Sequence, residues 1–336
     1  MAENESRILD QLRRDRLVSG SNVRLTPLGG GVSSDVFLVE GDAKCFVVKQ
    51  ALPQLKVKDH WPADTSRNRV EYEFLQYLGR ILPGSAPAVY TLGDHYFVME
   101  YLGTGYQNWK SLLLVGDCQL QHALQAATIL GTLHRVSFGD SELARRFDTT
   151  RNFHQLRTDP YLLTTGRRYP DLEVYFEQEA IRLEKTRECL VHGDYSPKNM
   201  LIGKDRMVVL DGEVAWYGDP AFDLAFLINH LCLKSLYHAP LECGIEAMIE
   251  AMMKAYYGER KMELVGLRDL DSRTARLLLM LLLARIDGKS PVEYLPSATK
   301  CDFVRNFVIS RLSGNDLTFN RVVAEWFASL QAQFRP

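Results

Sequence analysis

Apolar residues near the start of the chain fall at helical spacing. Ile8, Leu9, Leu12 and Leu17 stand among charges, which predicts an amphipathic helix over about residues 6–17. The pattern then turns strand-like: residues 23–28 and 36–40 flank a glycine-rich turn at 29–35, and residues 45–49 follow a hairpin signal at Gly41 and Asp42. Val70, Phe74, Leu75 and Leu78 restore helical spacing, so the charged stretch 53–69 reads as a loop leading into a helix. A second hairpin is predicted over residues 89–102, with its turn at Gly93 and Asp94, and Gly103 to Gly105 reads as a boundary and hinge. Beyond it the spacing is helical. Leu120, Leu124, Ala127, Leu130 and Leu133 share a face, residues 143–175 read as a charged, aromatic-containing insertion, and the apolar run 277–284 reads as a buried helix. A sheet-rich start followed by a helical remainder predicts an α+β fold of two lobes, residues 1–102 and 103–336.

Composition sets the class of partner. With 336 residues, 46% of them apolar, the chain has enough material for a core in each lobe. Its 40 basic and 42 acidic residues leave no global field to recruit nucleic acid or an anionic membrane, so the expected partner is a small molecule and the chain a monomer or homodimer. Six cysteines are scattered without a C-x-x-C pair, which suggests neither a zinc site nor a disulfide framework and fits a reducing cytoplasm. The acidic start, Met1-Ala2-Glu3-Asn4-Glu5, has no signal-peptide character, and no apolar run is long enough to span a bilayer.

Chemistry concentrates between residues 190 and 226. Asp194 and Asn199 lie across Ser196-Pro197, and Pro197 excludes a regular helix interior, so the pair belongs to a loop. Asp211 follows the apolar run Met207-Val208-Val209-Leu210; a carboxylate ending a buried strand is costly unless it meets a cation. Glu213 stands two residues on, and an extended backbone there turns both side chains the same way, toward a shared metal. His192 is assigned to orienting the loop, Asp219-Pro220 to a turn, and Asp223 either to holding loop amides or to catalysis. Upstream, Lys49 ends a strand, where a lysine is ordinarily a solvated terminus; the functional alternative is that Glu71 projects toward it from the following helix, with Glu73 as the competing partner. Gly29, Gly30 and Gly31, with Ser33 and Ser34, form a turn able to approach a polyphosphate closely, although such a turn is equally an ordinary hairpin loop. Oxygen ligands for magnesium beside an acceptor carboxylate are the equipment of phosphoryl transfer.

The series His192-Gly193-Asp194, Asn199, Asp211-Gly212-Glu213 and Gly218-Asp219-Pro220 with Asp223-Leu224-Ala225 resembles the aminoglycoside phosphotransferase and choline kinase superfamily. The resemblance implies a bilobal protein-kinase-like fold, with a small antiparallel-sheet N-lobe and a larger, mainly helical C-lobe. It implies an ATP-dependent kinase acting on a hydroxyl of a sugar, amino alcohol or aminoglycoside-like molecule. Asp194 would accept the hydroxyl proton, and Asn199 and Asp211 would hold Mg2+, with Glu213 a further ligand as in methylthioribose kinases. Lys49, paired with Glu71, would hold the α- and β-phosphates beneath the turn from Gly29 to Ser34. Met99 to Leu102, including Glu100, Tyr101 and Leu102, would form the adenine hinge, and His134 would be a structural histidine. Asn199 departs from the methylthioribose kinase pattern and fits the general phosphotransferase pattern more closely.

Substrate identity rests on the remainder. Acids and bases are nearly balanced in residues 138–190 and 225–336, which disfavours a polycationic acceptor. The stretch 284–295 is the most distinctive motif left over, and it reads either as a helix C-cap with Gly288 at positive φ or as a turn from which Arg285 or Asp287 reaches the acceptor. A nucleotide-binding pseudokinase and a metal-dependent phosphohydrolase are the competing classes. The presence of Lys49, Glu71, Asp194, Asn199 and Asp211 opposes the first, and the lack of further His and Asp ligands opposes the second.

Overall fold

Alternation of apolar side chains sorts the two faces of the first sheet. The computed structural model describes residues 2–19, 22–29, 33–41, 45–56, 63–241, 243–261, 264–314 and 316–334. They fall into two compact units, Met1–Gly105 and Tyr106–Pro336. The first unit runs α1 (Ala2–Arg14), β1 (Arg24–Pro27), β2 (Ser34–Glu40), β3 (Cys45–Ala51), α2 (Arg67–Ile81), β4 (Val89–Leu92) and β5 (Phe97–Glu100). Its strands form one antiparallel sheet in the order β1-β2-β3-β5-β4. Phe37, Val39, Phe46, Val48 and Val98 meet Ile8 and Leu12 of α1 on one side. Lys49 is one residue out of phase with Val48, so it turns to the opposite side, where Phe74, Leu75 and Leu78 of α2 are buried. The N-terminal helix begins earlier than its apolar stripe suggested and ends at Arg14; Leu17 packs against the same cluster from the loop beyond.

In the second unit the strands are short and serve mainly as ends for loops. Its strands are β6 (Gln107–Asn108), β7 (Cys189–Val191), β8 (Met200–Ile202), β9 (Met207–Val209) and β10 (Trp216–Gly218), paired as β6-β8-β9 and β10-β7. Helices α3 (Trp109–Leu114), α4 (Leu120–Val136), α5 (Ser141–Arg146) and α6 (Thr150–Phe153) lead into a π-helical segment, His154–Leu163. Then come α7 (Thr164–Arg168), α8 (Glu173–Lys185), α9 (Pro220–His238), α10 (Ile245–Arg260), α11 (Leu264–Asp287), α12 (Ala298–Ile309) and α13 (Phe319–Phe334). The stretch expected to be an insertion is therefore part of the helical core. Its aromatics are structural: Phe153 stacks on Trp216 with ring centroids 4.2 Å apart and meets Phe222 edge-on at 4.9 Å. The widened π turn accommodates Pro160, which has no amide hydrogen for the ordinary helical ladder.

Helix α9 is the axis of this unit, buried around its whole circumference from Pro220 to Leu236. Asp219 caps it by accepting the Ala221 amide at 2.9 Å, and Pro220 takes the first helical position, where a missing N–H costs nothing. The Asp219 carboxylate also receives Arg182 Nη1 at 2.6 Å and Arg273 Nη1 at 2.5 Å, tying α8 and α11 to the start of α9. The run 277–284 is buried within α11, as its apolar character predicted. Among the described residues, no helix is long and apolar enough to cross a membrane.

Candidate active site

The loop between β7 and β8 is held from below by α9. Asp223 accepts the His192 amide at 2.7 Å and the Gly193 amide at 2.9 Å. A third interaction of Asp223, with His134 Nε2 at 3.3 Å, is backed by a 2.9 Å bond between His134 Nδ1 and the Tyr256 hydroxyl. Asp223 thus holds loop amides, and His134 is a structural link between α4, α9 and α10. His192 Nε2 lies 2.9 Å from the Leu210 carbonyl and its Nδ1 accepts the Asp194 amide at 3.1 Å, which requires the neutral tautomer with the proton on Nε2. Burial lowers its pKa and so favours that neutral form. Gly193 has φ +77°, and a Cβ there would lie 2.6 Å from the Val214 carbonyl oxygen, so conformation and space both demand glycine.

Asp194 sits at the centre of a charged cluster. Its Oδ2 accepts Asn199 Nδ2 at 2.9 Å and faces Lys198 Nζ at 3.0 Å and Arg157 Nη2 at 3.1 Å. Asn199 Nδ2 also donates to the Asp194 carbonyl at 2.9 Å, which closes the turn around Pro197. Burial pushes the Asp194 carboxyl upward, but Arg157 and Lys198 outweigh it and hold the group well below the usual carboxylate range. The carboxylate is therefore ionised at neutral pH.

Asp211 departs from the expected geometry. Strand β9 ends at Val209, the Leu210 amide donates to the Asn199 carbonyl at 2.9 Å, and Asp211 adopts a left-handed conformation, φ +66° and ψ +44°. Gly212–Val214 then forms a 3-10 turn. The backbone is not extended from Asp211 to Glu213, so strand alternation does not place the two carboxylates on one face. Both still act on the same charge: burial works against the Arg157 guanidinium, and Asp194, Tyr161, Glu213 and Asp211 together more than offset it. Among the described residues no three His, Cys, Asp or Glu side chains group to hold a metal ion.

In the first unit, Lys49 Nζ lies 2.8 Å from each carboxylate oxygen of Glu71, and both side chains are buried. Glu73 instead pairs with Arg69 at 3.4 Å, one turn away along α2. Ser33 is buried, its carbonyl accepting Arg67 Nη2 at 2.5 Å, while the Ser34 hydroxyl is buried with no hydrogen-bond partner among the described residues. Gly29 has open space around its Cα; Gly30 and Gly31 lie outside the described residues. Glu100 ends β5, its amide donating to the Ala88 carbonyl at 2.7 Å and its Oε2 accepting the Ala88 amide at 3.0 Å, and Tyr101 and Leu102 follow, half-buried. Removing one partner of a buried pair costs far more than removing both. Lys49→Met is accordingly expected to lower the unfolding free energy by about 3–5 kcal/mol in urea titrations, with much of that recovered in Lys49→Met/Glu71→Leu. A single variant as stable as the parent would refute the pair's structural weight.

A family model of the phosphotransferase enzyme family (APH) matches residues 24–264, a span that contains both clusters. The chain belongs to the phosphotransferase enzyme family. A methylthioribose kinase of Pectobacterium atrosepticum is 26% identical over 271 residues, covering 70% of this chain and 64% of that kinase. The chain thus spans less than two thirds of that relative's length. Among solved structures, an amicoumacin kinase has a similar fold with TM-score 0.57 at 14% identity, covering 96% of this chain and 99% of the other. A choline kinase from Cryptosporidium parvum Iowa II gives TM-score 0.52 at 12% identity, covering 98% and 94%.

Two residues of the charged cluster around Asp194 are not evident from the sequence. Lys198 lies four residues after Asp194 and shares its loop, a local signal that spacing alone supplies. Arg157 comes from the π-helical segment, where its Nε also donates to the Gly193 carbonyl at 2.5 Å; only the fold brings it there. The turn after α11 also differs from expectation. Gly288 does not have positive φ; it is needed because a Cβ would lie 2.3 Å from the Ala284 carbonyl oxygen. Asp287 is clasped by Arg305, at 2.6 and 2.8 Å, and by the Tyr169 hydroxyl at 2.5 Å. Arg285 turns the other way, its Nη1 donating to the Tyr161 hydroxyl at 3.2 Å and to Ser290 Oγ at 3.0 Å.

Proposed function

We propose that this phosphotransferase is an ATP-dependent small-molecule kinase. The acceptor's hydroxyl oxygen bonds to the γ-phosphorus, the bond from that phosphorus to the bridging oxygen breaks, the hydroxyl proton passes to Asp194, and ADP departs. The observation that carries this reading is the Asp194 carboxylate: buried, kept ionised by Arg157 and Lys198, and fixed by the Asn199 amide. Such a group can hold a hydroxyl in line with a phosphorus and receive its proton.

Hard oxygen donors suit Mg2+, and the loop presents them. The Asn199 bonds to Asp194 employ its amide nitrogen, which leaves the amide oxygen as its metal-facing atom; Asp211 supplies a carboxylate, with Glu213 as a further ligand. Bound there, Mg2+ would neutralise charge on the phosphates. Lys49, positioned by Glu71, is assigned to the α- and β-phosphates, and the turn containing Gly29, Ser33 and Ser34 to the phosphates it covers, where the unmet Ser34 hydroxyl is a ready donor. Backbone groups of Glu100, Tyr101 and Leu102 are assigned to adenine. The relatives support a hydroxyl-bearing acceptor through their names, methylthioribose kinase and choline kinase, and the amicoumacin kinase was solved with AMP-PNP and Ca2+. Assembled Lys49–Glu71 and Asp194–Asn199 pairs disfavour a pseudokinase.

ADP release from magnesium-ATP, measured across sugars, amino alcohols and aminoglycosides, tests the proposal. Release that rises with a particular hydroxyl compound, with phosphate found on that compound, is the expected result. ADP formation indifferent to every acceptor opposes it.

A further inference from the structure

Lys234 is an anomaly of the helical unit. It lies three turns along α9 from Asp223 and is 1% exposed, yet among the described residues the only hydrogen bond its ammonium makes is a long one, 3.4 Å, to the His230 carbonyl. Buried lysines are ordinarily paired with carboxylates. Here the surroundings are positive instead. Lys234 Nζ stands 4.8 Å from the centre of the Tyr294 ring, and Lys110 Nζ approaches the same ring at 5.8 Å. Glu293 is the nearby carboxylate, and it is exposed and bonded to Lys110. Burial, then Lys110 and Arg285, pull the Lys234 pKa down to about 7, with Glu293 opposing weakly. Burial first, then Arg285, Lys234, Lys198 and Lys110, lower the His230 pKa and hold the ring neutral.

Unmet hydrogen-bonding capacity collects in the same place. Arg285 Nε and the Tyr294 hydroxyl are buried without partners among the described residues. This positive region is also joined to the catalytic loop. The Arg285 guanidinium lies 5.7 Å from the centre of the Tyr161 ring, the Arg157 guanidinium lies 5.5 Å from that ring, and Arg157 bonds Asp194. On the α9 side, Phe226 faces Arg157 at 5.6 Å and His230 at 5.3 Å.

We propose that the acceptor is a hydroxylated small molecule that carries an oxyanion, a carboxylate or a phosphate, and that Lys234 and Arg285 receive this oxyanion while Asp194 receives the hydroxyl proton. The proposal rests on the kinase reading of the same site and narrows it. An oxyanion supplies the negative charge that the region lacks, and Arg285 offers a planar fork suited to either form. A polycation is excluded on the same grounds, since it would bring like charge into a buried positive region.

The test compares matched acceptors with the full chain: D-gluconate and D-glucose 6-phosphate against sorbitol and D-glucose. ADP release is measured for turnover and isothermal titration calorimetry for binding. The anionic member of a pair is expected to show kcat/KM at least tenfold higher, and the two anionic arms identify whether a carboxylate or a phosphate is preferred. Lys234→Met is expected to reduce the anionic-to-neutral preference at least tenfold, through KM more than kcat, while leaving the Tm equal or higher because a buried charge is gone.

Calorimetry adds a readout that a merely structural lysine would not move. An anion favours the protonated ammonium, so binding at pH 8 draws up to about one proton from the buffer, an uptake that vanishes in Lys234→Met. His230, Lys110, Arg285, Glu293 and Tyr294 face the same region, and the variant separates Lys234 from them. Anion binding that depends on Lys234 without any turnover would support the oxyanion site and sink the kinase reading. Turnover of neutral or cationic acceptors with indifference to Lys234 would do the reverse. Absence of both Lys234-dependent binding and anion preference overturns the inference.

Discussion

Replacing Asp194 by asparagine is expected to lower kcat by about 10²–10⁴, the scale of a lost positioned base, or about 3–5 kcal/mol of barrier. The variant keeps the shape of the side chain and removes its charge. The low pKa of this carboxyl makes it a poor base in the equilibrium sense, so its contribution must come chiefly from orientation. In a loose transition state the acceptor proton leaves late, and a carboxylate that aligns the hydroxyl acts before its basicity matters. The same shift fixes the pH behaviour. A carboxyl whose folded pKa is depressed contributes stability that is complete above the ordinary carboxylate pKa near 4 and disappears as pH falls through the lower folded value. An acidic limb in the kcat/KM profile above about pH 5 would therefore belong to another group. Near-parental turnover by Asp194→Asn, measured as ADP release with phosphorylated acceptor as product, would overturn the assignment.

Asp211 offers a pair of variants with opposite effects. Asparagine tolerates a left-handed conformation at least as well as aspartate, so Asp211→Asn leaves the backbone alone and removes only the charge. It is expected to raise the Mg2+ concentration for half-maximal activity at least tenfold and to lower kcat by about 10²–10³, the loss usual for a displaced electrostatic group. Glycine relieves the conformational cost of φ +66°, so Asp211→Gly should be as inactive and yet more stable by up to ~1 kcal/mol in urea unfolding. An unchanged magnesium titration in Asp211→Asn would remove the residue from the metal site. Loss of stability in Asp211→Gly would show that the strain is not held there.

Legibility of the chain in its sequence followed the range over which each feature is determined. Asp194 and Asn199 are fixed by a turn around Pro197, and Lys49 and Glu71 by a strand and a helix face, so spacing sufficed to join them. Arg157 was lost in a stretch whose charges imitate a solvated surface. Its burial depends on Tyr161, Phe226 and Asp194, and a π-helical turn has no period that inspection recognises. The orientation of Asp211 and Glu213 failed for a related reason. Alternation holds only while a strand lasts, and the sequence does not show that β9 ends at Val209. At Gly288 the residue type was informative but its cause was not: crowding by the Ala284 carbonyl, not dihedral freedom, excludes a side chain.

In the proposed reading, helix α9 joins two tasks. Its first turn grips the catalytic loop through Asp223, and Lys234 stands about three turns further on, ~16 Å along a rigid axis. One helix therefore works as a ruler between the chemistry and the molecule that undergoes it. Exchanging side chains at His230 or Lys234 redraws the far mark without moving the near one, so substrate preference can drift while the loop stays in register. Inserting a single residue between the marks would instead rotate them apart by about 100°, breaking the measure altogether.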